Sequence, residues 1–364
     1  MINKLVVSNL GRRPVRTALS VIAVSVEVIL IISVIGLVTG LLYEGAQRQR
    51  GLGADIIVQA PGSSIMMGLG KGAMPQKIGG LLGQVDGVAA VTPVLMHSFG
   101  GLTLAYGIQP DTFRAVTGGF RVLEGRMLES GFELVVDDIY AGNNQIKVGD
   151  TRELWGNQFQ VVGIVDHGKG ARLFVPLETM QSLLNDEGRA SVFYVTLTGP
   201  GRMEEVLARF KEKLPDYPIR SMTELTSLMT ADNIPGVKPF ERIMIAIAVV
   251  IGFLVIFLAM YTTVLERTRE IGVLKALGAS KAYIVNIILR ETLVVAAAGI
   301  AVGITGAVLL RWGVLAAFPT LTILITPRWL AGAAVIAVAG ALLGAFYPAL
   351  RAARQDPIDA LAYE

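Results

Sequence analysis

Four long apolar stretches constrain this chain more than any other feature. They lie at residues 18–43, 243–265, 283–310 and 329–350. A helix rises about 1.5 Å per residue and the hydrocarbon core of a bilayer is about 30 Å thick, so each stretch is long enough to cross it as a helix. The composition agrees, since 53% of the residues are hydrophobic and only 17% are charged. The sequence therefore predicts an α-helical membrane protein with four transmembrane helices.

The basic residues that flank these stretches predict how the chain is oriented, because cytoplasmic loops carry an excess of lysine and arginine. They are Lys4, Arg12, Arg13 and Arg16 before the first stretch, Arg267, Arg269, Lys275 and Lys281 between the second and third, and Arg351 and Arg354 after the fourth. We expect residues 1–17, 266–282 and 351–364 to be cytoplasmic, and residues 44–242 and 311–328 to be outside. The first stretch is too long for a signal-peptide core, so we interpret it as an uncleaved anchor in the inner membrane.

Residues 44–242 are predicted to form a mixed α+β domain on the outer side. Segments rich in β-branched and aromatic residues predict strands, an amphipathic segment predicts a helix, and a glycine- and methionine-rich segment predicts a mobile or irregular loop. The strands are expected at 132–136, 159–165 and 191–197, the helix at 202–214, and the loop at 61–83 with Met66, Met67 and Met74. The methionines either cover the domain or form an adaptable contact surface. Asn233, Pro235, Gly236 and Pro239 predict a non-helical hinge into the second span.

The sequence contains no motif that indicates an enzyme active site. Residues 163–169 match a phosphate-binding loop until the position of its Ser or Thr, which is Gly170. His97 and His167 are far apart, so a metal site would need carboxylates that the sequence does not identify. The Asp137–Asp138 pair is expected in a solvated turn. Cysteine is absent, and the net charge of +3 arises beside apolar stretches, which favours lipid over nucleic acid.

Two carboxylates lie in or near the predicted spans, where an unpaired charge is costly. Glu27 and Glu291 are either structural groups that face a polar partner or members of a proton relay. Three glycine pairs with GxxxG spacing allow close approach of helices, either within the four-helix unit or across a symmetric dimer. They are Gly36 and Gly40, Gly299 and Gly303, and Gly340 and Gly344.

The cytoplasmic segment 266–280, with the sequence ERTREIGVLKALGAS, is predicted to be one short amphipathic helix. Ile271, Leu274 and Leu277 recur at three-residue spacing, Gly278 is expected to end the helix, and Ser280 is expected to cap the next one. A rigid knob between two spans suits a groove on a cytoplasmic partner. The polar face of this segment carries Arg267, Arg269, Glu270 and Lys275.

This segment resembles the E-R-x-x-E-I-G-x-L-[KR]-A-[LI]-G-A coupling motif of bacterial ABC transporter permeases of the MacB/FtsX type. The segments 347–353 and 356–361 resemble the C-terminal signature of that family, and the R-R-P-x-R-T sequence at 12–17 resembles its N-terminal segment. The resemblance covers nearly the whole chain. It implies one span, a MacB-like periplasmic domain and three further spans.

The resemblance assigns the contact with an ATPase partner to Glu266, Arg267, Arg269, Glu270, Ile271, Gly272, Leu274, Lys275, Leu277 and Gly278. It also implies a function and further partners. Two permease chains, as a homodimer, would sit on two copies of a separate ABC ATPase subunit, which would hold ATP and magnesium, while this chain would bind no cofactor. Motion of the coupling helices would be relayed across the membrane to the outer domains, a mechanism called mechanotransmission. This motion would export or extract an amphipathic substrate such as a lipid, lipoprotein, peptide or drug. A periplasmic adaptor could take part. One alternative is an FtsX-like signalling protein that activates a cell-wall hydrolase without transport. Another is a four-span sensor or scaffold with no ATPase, since the sequence holds no nucleotide motif.

Overall fold

The computed structural model describes residues 14–63, 72–99, 103–318 and 321–356. The basic residues Lys4, Arg12 and Arg13, the loop methionines Met66 and Met67, and the C-terminal signature from Pro357 onward lie outside this part of the chain. The described residues divide into two compact units, a helical one (14–40, 236–317 and 321–356) and a mixed one (41–63, 72–99, 103–235 and 318).

Four helices of the described residues are long and apolar enough to cross a membrane, which confirms the predicted class. They are α1 (Pro14–Arg50), α8 (Val237–Glu266), α10 (Lys281–Ala317) and α11 (Pro327–Arg354), while α9 (Thr268–Ala276) lies between α8 and α10. Each is longer than the apolar stretch that predicted it, because polar residues continue the helix beyond the apolar run. The non-helical hinge predicted at 233–239 is shorter than expected, because α8 begins directly after Gly236, which is left-handed with φ 86°. Pro239 already lies in the first turn of α8, where a proline costs no helical hydrogen bond.

The helical unit packs through small residues. Alanines and glycines of α11 form its buried face, and valines and isoleucines of α1 occupy the space that the glycines of α10 leave. Gly299 and Gly303 contact Val24 and Val28, and Gly344 contacts the backbone of α8. The segment before α11 packs on Gly36, whose carbonyl accepts the Leu324 amide at 2.8 Å. These glycines therefore serve packing within one chain, the first of the two interpretations offered for the GxxxG pairs.

The mixed unit is built on one large sheet. Its strands are β1 (Ile56–Gln59), β2 (Met74–Pro75), β3 (Val88–Phe99), β4 (Thr103–Ile108), β5 (Val122–Gly125), β6 (Glu133–Asp137), β7 (Thr151–Leu154), β8 (Asn157–Val165), β9 (Leu173–Pro176), β10 (Arg189–Ala190), β11 (Val192–Leu197) and β12 (Ile219–Ser221). In the described residues the order of the sheet is β12-β1-β11-β3-β4-β9-β6-β8-β5, with β7 beside β8 and a separate β2–β10 pair. Most neighbours are antiparallel, but β4 pairs with β9 and β6 with β8 in parallel.

Short helices cover this sheet and enclose its apolar cores. They are α2 (Ile78–Gly83), α3 (Pro110–Thr117), α4 (Asp138–Asn144), α5 (Leu177–Leu184), α6 (Met203–Lys213) and α7 (Met222–Leu228). Phe113 of α3, Met180 of α5 and Phe210 of α6 are fully buried against strands. The mixed α+β domain predicted between the first and second spans is confirmed.

One prediction for this domain is wrong in part. Residues 61–83 were expected to be irregular throughout, yet their described part contains β2 and α2. Met74 is 1% exposed and packs in the core with Ile78 and Leu82, so it covers the domain and is not an adaptable contact surface. The signal for order was the apolar pair at Ile78 and Leu82, which the neighbouring glycines obscured.

Candidate functional site

The candidate site is the elbow, residues 266–280, which joins α8 to α10 through α9. The chain leaves α8 without a loop, because Thr268 donates its hydroxyl to the Leu265 carbonyl at 2.8 Å and α9 begins at once. Gly278 adopts the left-handed conformation with φ 94°, and the Ala279 amide reaches back to the Leu274 carbonyl at 3.0 Å. Ser280 accepts the Tyr283 amide at 3.2 Å and so caps α10. These bonds make the elbow a compact knob.

The inner face of α9 rests on the helical unit. Ile271 and Gly272 are buried, and Leu274 packs against the core that contains Ile284 and Ile288. A cavity of about 40 Å³ lies among these side chains and is bordered by Arg267 and Glu291. Leu277 was expected on the same face, but α9 ends at Ala276 and Leu277 is 81% exposed. The apolar face predicted from the three-residue spacing therefore contains Ile271 and Leu274 but not Leu277.

A buried ion pair ties the elbow to α10. Arg267, whose side chain is 14% exposed, donates to Glu291 at 3.1 Å and to Glu270 at 2.9 Å. Glu291 is 5% exposed, so this pair is shielded from solvent. Arg267, which lies between α8 and α9, is 24 residues away from Glu291 in the sequence. Sequence spacing alone could therefore not reveal this pair. Of the two interpretations of Glu291, a structural group with a polar partner fits this geometry.

Further contacts bind the elbow to α1 and α11. Lys275 donates to the carbonyl of Ala353 at 3.1 Å and to that of Gln355, so its ammonium group satisfies the end of α11. Arg16 of α1 pairs with Glu266 and donates to Thr263 at 3.3 Å. Together with the Arg267–Glu291 pair, these side chains connect the elbow to three long helices, α1, α10 and α11. Sequence reasoning used Arg16 as an orientation signal and as part of the N-terminal motif, and missed this contact.

The outward surface of the elbow mixes charge and apolar area. Arg269 and Glu270 are exposed there, Val273 is 44% exposed, and Leu277 follows at the end of α9. The residues assigned to one partner contact therefore separate into two groups. The residues that contact the helical unit are Arg267, Ile271, Gly272, Leu274 and Lys275. The residues exposed at the surface are Glu266, Arg269, Glu270, Leu277 and Gly278, of which Glu266 pairs with Arg16 and Glu270 with Arg267.

Glu27 lies apart from the elbow, in the middle of α1. It is 2% exposed, and its Oε1 atom has no hydrogen-bond partner in the described residues. The carboxyl group fills a niche beside two glycines, Gly252 of α8 and Gly340 of α11, where a Cβ atom at Gly252 would collide with it. The absence of a Cβ atom at Gly252 is what gives the carboxyl group room, whereas a Cβ atom at Gly340 would lie 3.6 Å from it, at ordinary contact distance.

The mixed unit contains a second polar feature, a buried ionic cluster at the end of α1. Arg172, 4% exposed, donates to Asp137 at 3.0 Å and pairs with Glu44 of α1. Asp137 is 1% exposed and also caps α4 by accepting the Tyr140 amide at 2.6 Å. Burial raises the pKa of Asp137, and the guanidinium of Arg172 opposes that shift. The prediction of a solvated turn is wrong for Asp137, because the ion pair allows the carboxylate to be buried.

The near-match to a phosphate-binding loop has a different structural role. Gly163 lies within β8, and the element that follows Lys169 is the strand β9, whereas a phosphate-binding loop opens a helix. Lys169 donates to the Thr117 carbonyl at 2.7 Å, and its burial lowers its pKa. Lys169 therefore ties the β8–β9 loop to the end of α3.

Comparison with known proteins identifies the class to which this elbow and sheet belong. The family model described as MacB-like periplasmic core domain matches residues 17–213, more than half of the chain, and the model described as FtsX-like permease C-terminal matches residues 242–357. The chain belongs to the MacB/FtsX-type family of ABC transporter permeases.

Two relatives and one solved structure illustrate the similarity. An uncharacterized ABC transporter permease of Methanocaldococcus jannaschii is 25% identical over 311 aligned positions, which cover 77% of this chain and 78% of the relative. The macrolide export ATP-binding/permease protein MacB of Marinobacter nauticus is 25% identical, and the match covers 96% of this chain but 58% of that protein. This chain therefore spans little more than half the length of that relative. The periplasmic region of MacB from Actinobacillus actinomycetemcomitans matches 51% of this chain and 97% of that chain at 17% identity and a TM-score of 0.38.

Proposed function

We propose that this chain is the membrane-spanning subunit of an ABC transporter and that the elbow is its contact with a cytoplasmic ATPase subunit. Two permease chains and two ATPase copies would form the working assembly in the inner membrane, with both termini of the permease in the cytoplasm. ATP and magnesium would be held by the ATPase. The proposal rests on one observation above all: the elbow is braced by Arg267 and Lys275 against α10 and α11 while Leu277 stays exposed.

A coupling element needs both properties. It must present a surface that a partner can grip, and it must be stiff enough to transmit a displacement to the membrane helices. The exposed Val273 and Leu277 beside Arg269 and Glu270 would supply the gripping surface, since apolar side chains ringed by charges are typical of protein interfaces. The Arg267–Glu291 pair would supply the stiffness, because breaking it leaves a shielded charge unpaired.

The transported substrate would be amphipathic: a lipid, a lipoprotein, a peptide or a drug-like molecule. Family membership supports this class, and α1, which contributes residues to both units, would carry the motion to the outer domain. A periplasmic adaptor would extend the path where one is present.

The experiment that tests the proposal is purification of the tagged chain from its native membrane in mild detergent, with mass-spectrometric quantification of the retained ATPase subunit. Leu277→Asp is expected to lower the ATPase-to-permease ratio about tenfold or more, as for loss of an interface anchor of about 1.4 kcal/mol. Leu81→Asp is the matched control, because Leu81 is also an exposed leucine at 54% but lies in the mixed unit.

Two results would contradict this assignment. One is equal ATPase retention by Leu277→Asp and the wild type at equal membrane levels. The other is loss of the ATPase in Leu81→Asp, which would indicate a general folding defect. Recovery of a cell-wall hydrolase together with the ATPase would favour the signalling alternative over transport.

A further inference from the structure

Three metal-ligating side chains meet at one edge of the sheet in the mixed unit. Strands β6 and β8 are parallel, and Asp137 is the register partner of Val165. The residues that follow, Asp138 and Asp166, therefore leave the same edge side by side, and His167 comes next. The sheet topology, and not a local loop motif, places two carboxylates and one imidazole together. We name this group the triad: Asp138, Asp166 and His167.

The distances within the triad suit coordination of one ion. The Nδ1 atom of His167 lies 3.0 Å and 3.2 Å from the two carboxylate oxygens of Asp138, and 3.6 Å from Oδ1 of Asp166. One ligand atom from each side chain lies within 4.8 Å of the others. With bonds of about 2.0–2.2 Å, two ligands of a tetrahedral ion are roughly 3.3–3.6 Å apart, so small side-chain adjustments would close the site.

The backbone that carries the triad is fixed from several sides. The Asp166 amide donates to the Arg121 carbonyl at 3.0 Å, and the Gly170 amide donates to the Arg48 carbonyl at 3.1 Å. Gly168 has φ 102°, a conformation that other residues rarely adopt, and it turns the chain directly after His167. Preorganised ligands lower the entropic cost of capturing an ion.

The donor set identifies the class of ion. An imidazole nitrogen with two carboxylates is typical of first-row divalent transition metals, whereas calcium and magnesium prefer oxygen ligands alone. The side chains are partly exposed, 54% for His167, 35% for Asp138 and 44% for Asp166, so water can complete the coordination shell. We propose that the triad binds a divalent transition-metal ion, with zinc as the representative.

Occupancy would have a structural consequence. The ion would join the start of α4 to the β8–β9 loop, and that loop also holds the end of α1 through Gly170 and Arg48. Binding would therefore stiffen the attachment of α1 within the mixed unit. This inference does not depend on the proposed transport function.

The test is isothermal titration calorimetry, in which zinc chloride is added to the full chain in detergent. The chain carries an affinity tag without histidine and is treated with EDTA beforehand. The chain offers a clean comparison, because it has two histidines and no cysteine. We expect one zinc per chain for the wild type. His167→Ala and Asp138→Asn should each weaken binding about tenfold or more, since even outer-shell substitutions in metal sites cost at least that much.

The control is His97→Ala, which removes the histidine that meets Trp155 edge to face, with the ring centroids 5.8 Å apart, and should leave zinc binding unchanged. A second readout is the zinc-induced rise in Tm, which should be present in the wild type and in His97→Ala and absent in His167→Ala. The proposal is overturned if the wild type binds no zinc, if His167→Ala binds as tightly as the wild type, or if calcium competes equally, since that would indicate carboxylates acting without the histidine.

Discussion

The buried ionic cluster of the mixed unit predicts a large local effect from one substitution, Arg172→Met. Methionine keeps much of the length and apolar contact of the arginine stem but removes the charge. Asp137, whose side chain is only 1% exposed, would then lose the guanidinium that pairs with it, while Glu44 would keep Arg48 at 4.0 Å. Removing one partner of a buried pair typically costs about 3–5 kcal/mol. We expect a loss in that range, which corresponds to roughly a hundredfold to a few thousandfold in the opening equilibrium.

Hydrogen–deuterium exchange of the full chain in detergent measures this loss without requiring reversible unfolding. Peptides that cover β6, β9 and the end of α1 should exchange faster by the predicted factor. Arg126→Met is the matched control, because Arg126 pairs with Glu133 at the surface, with its side chain 48% exposed. Exposed ion pairs are screened by solvent and contribute little to stability, so exchange in that variant should change little.

The dependence on pH gives a second, independent check. Because burial raises the pKa of Asp137, the folded domain holds this proton over a pH range in which the unfolded chain has released it. Raising the pH through that range therefore lowers stability, and lowering it restores stability. Loss of Arg172 raises the pKa further, so Arg172→Met should be most destabilised at neutral pH and recover as the pH falls.

The double variant Asp137→Asn/Arg172→Met separates the orphaned charge from lost packing. Asparagine still caps α4 but carries no charge, so the double variant should be less destabilised than the sum of the single variants. The reasoning is refuted if Arg172→Met exchanges no faster than Arg126→Met, or if the two single effects simply add.

Two further substitutions test the packing of the helical unit. Gly40→Ala should lower the Tm of the full chain, with a cost of about 1–3 kcal/mol, because an added Cβ atom would overlap the Thr322 carbonyl. In the control Gly45→Ala the added Cβ atom meets only one side-chain atom, at 4.0 Å, so that variant should be neutral or stabilising. Equal Tm values for the two variants would contradict this reasoning. Lys275→Ala should speed exchange in the last turn of α11 roughly ten- to a hundredfold, since bonds to a charged donor contribute about 1.5–3 kcal/mol. Lys281 is exposed, so Lys281→Ala should have no effect there. Unchanged protection in Lys275→Ala would show that the end of α11 does not depend on this ammonium group.

The fold could be predicted to different depths in the two units. The four spans could be predicted because a long apolar run has few alternatives to a membrane helix. The ends of the helices could not be predicted, because α1 for example continues through polar residues to Arg50. In the mixed unit the strands β6, β8 and β11 and the helix α6 were predicted within a few residues. The order of the sheet was not predictable, since β4 and β9 pair across more than sixty intervening residues and no local pattern encodes that choice.

The candidate site shows the same division. The residues 266–280 were recognised from their motif, and the left-handed Gly278 follows from local chain chemistry. Three features could be seen only in the packed structure: the partner of Glu291, the hydrogen bonds of Lys275 to the end of α11, and the exposure of Leu277. Each depends on where a second helix lies.

The sequence by itself determined the class of this protein, its four spans and the segment that joins the second to the third. Those properties follow from composition and local order, which the chain carries without reference to distant residues. Only the tertiary structure decided that Asp137 is buried beside Arg172 and that Asp138, Asp166 and His167 share one edge. Charges and ligands combine over a few ångströms, and residues far apart in sequence reach that distance only when parallel strands and packed helices bring them together.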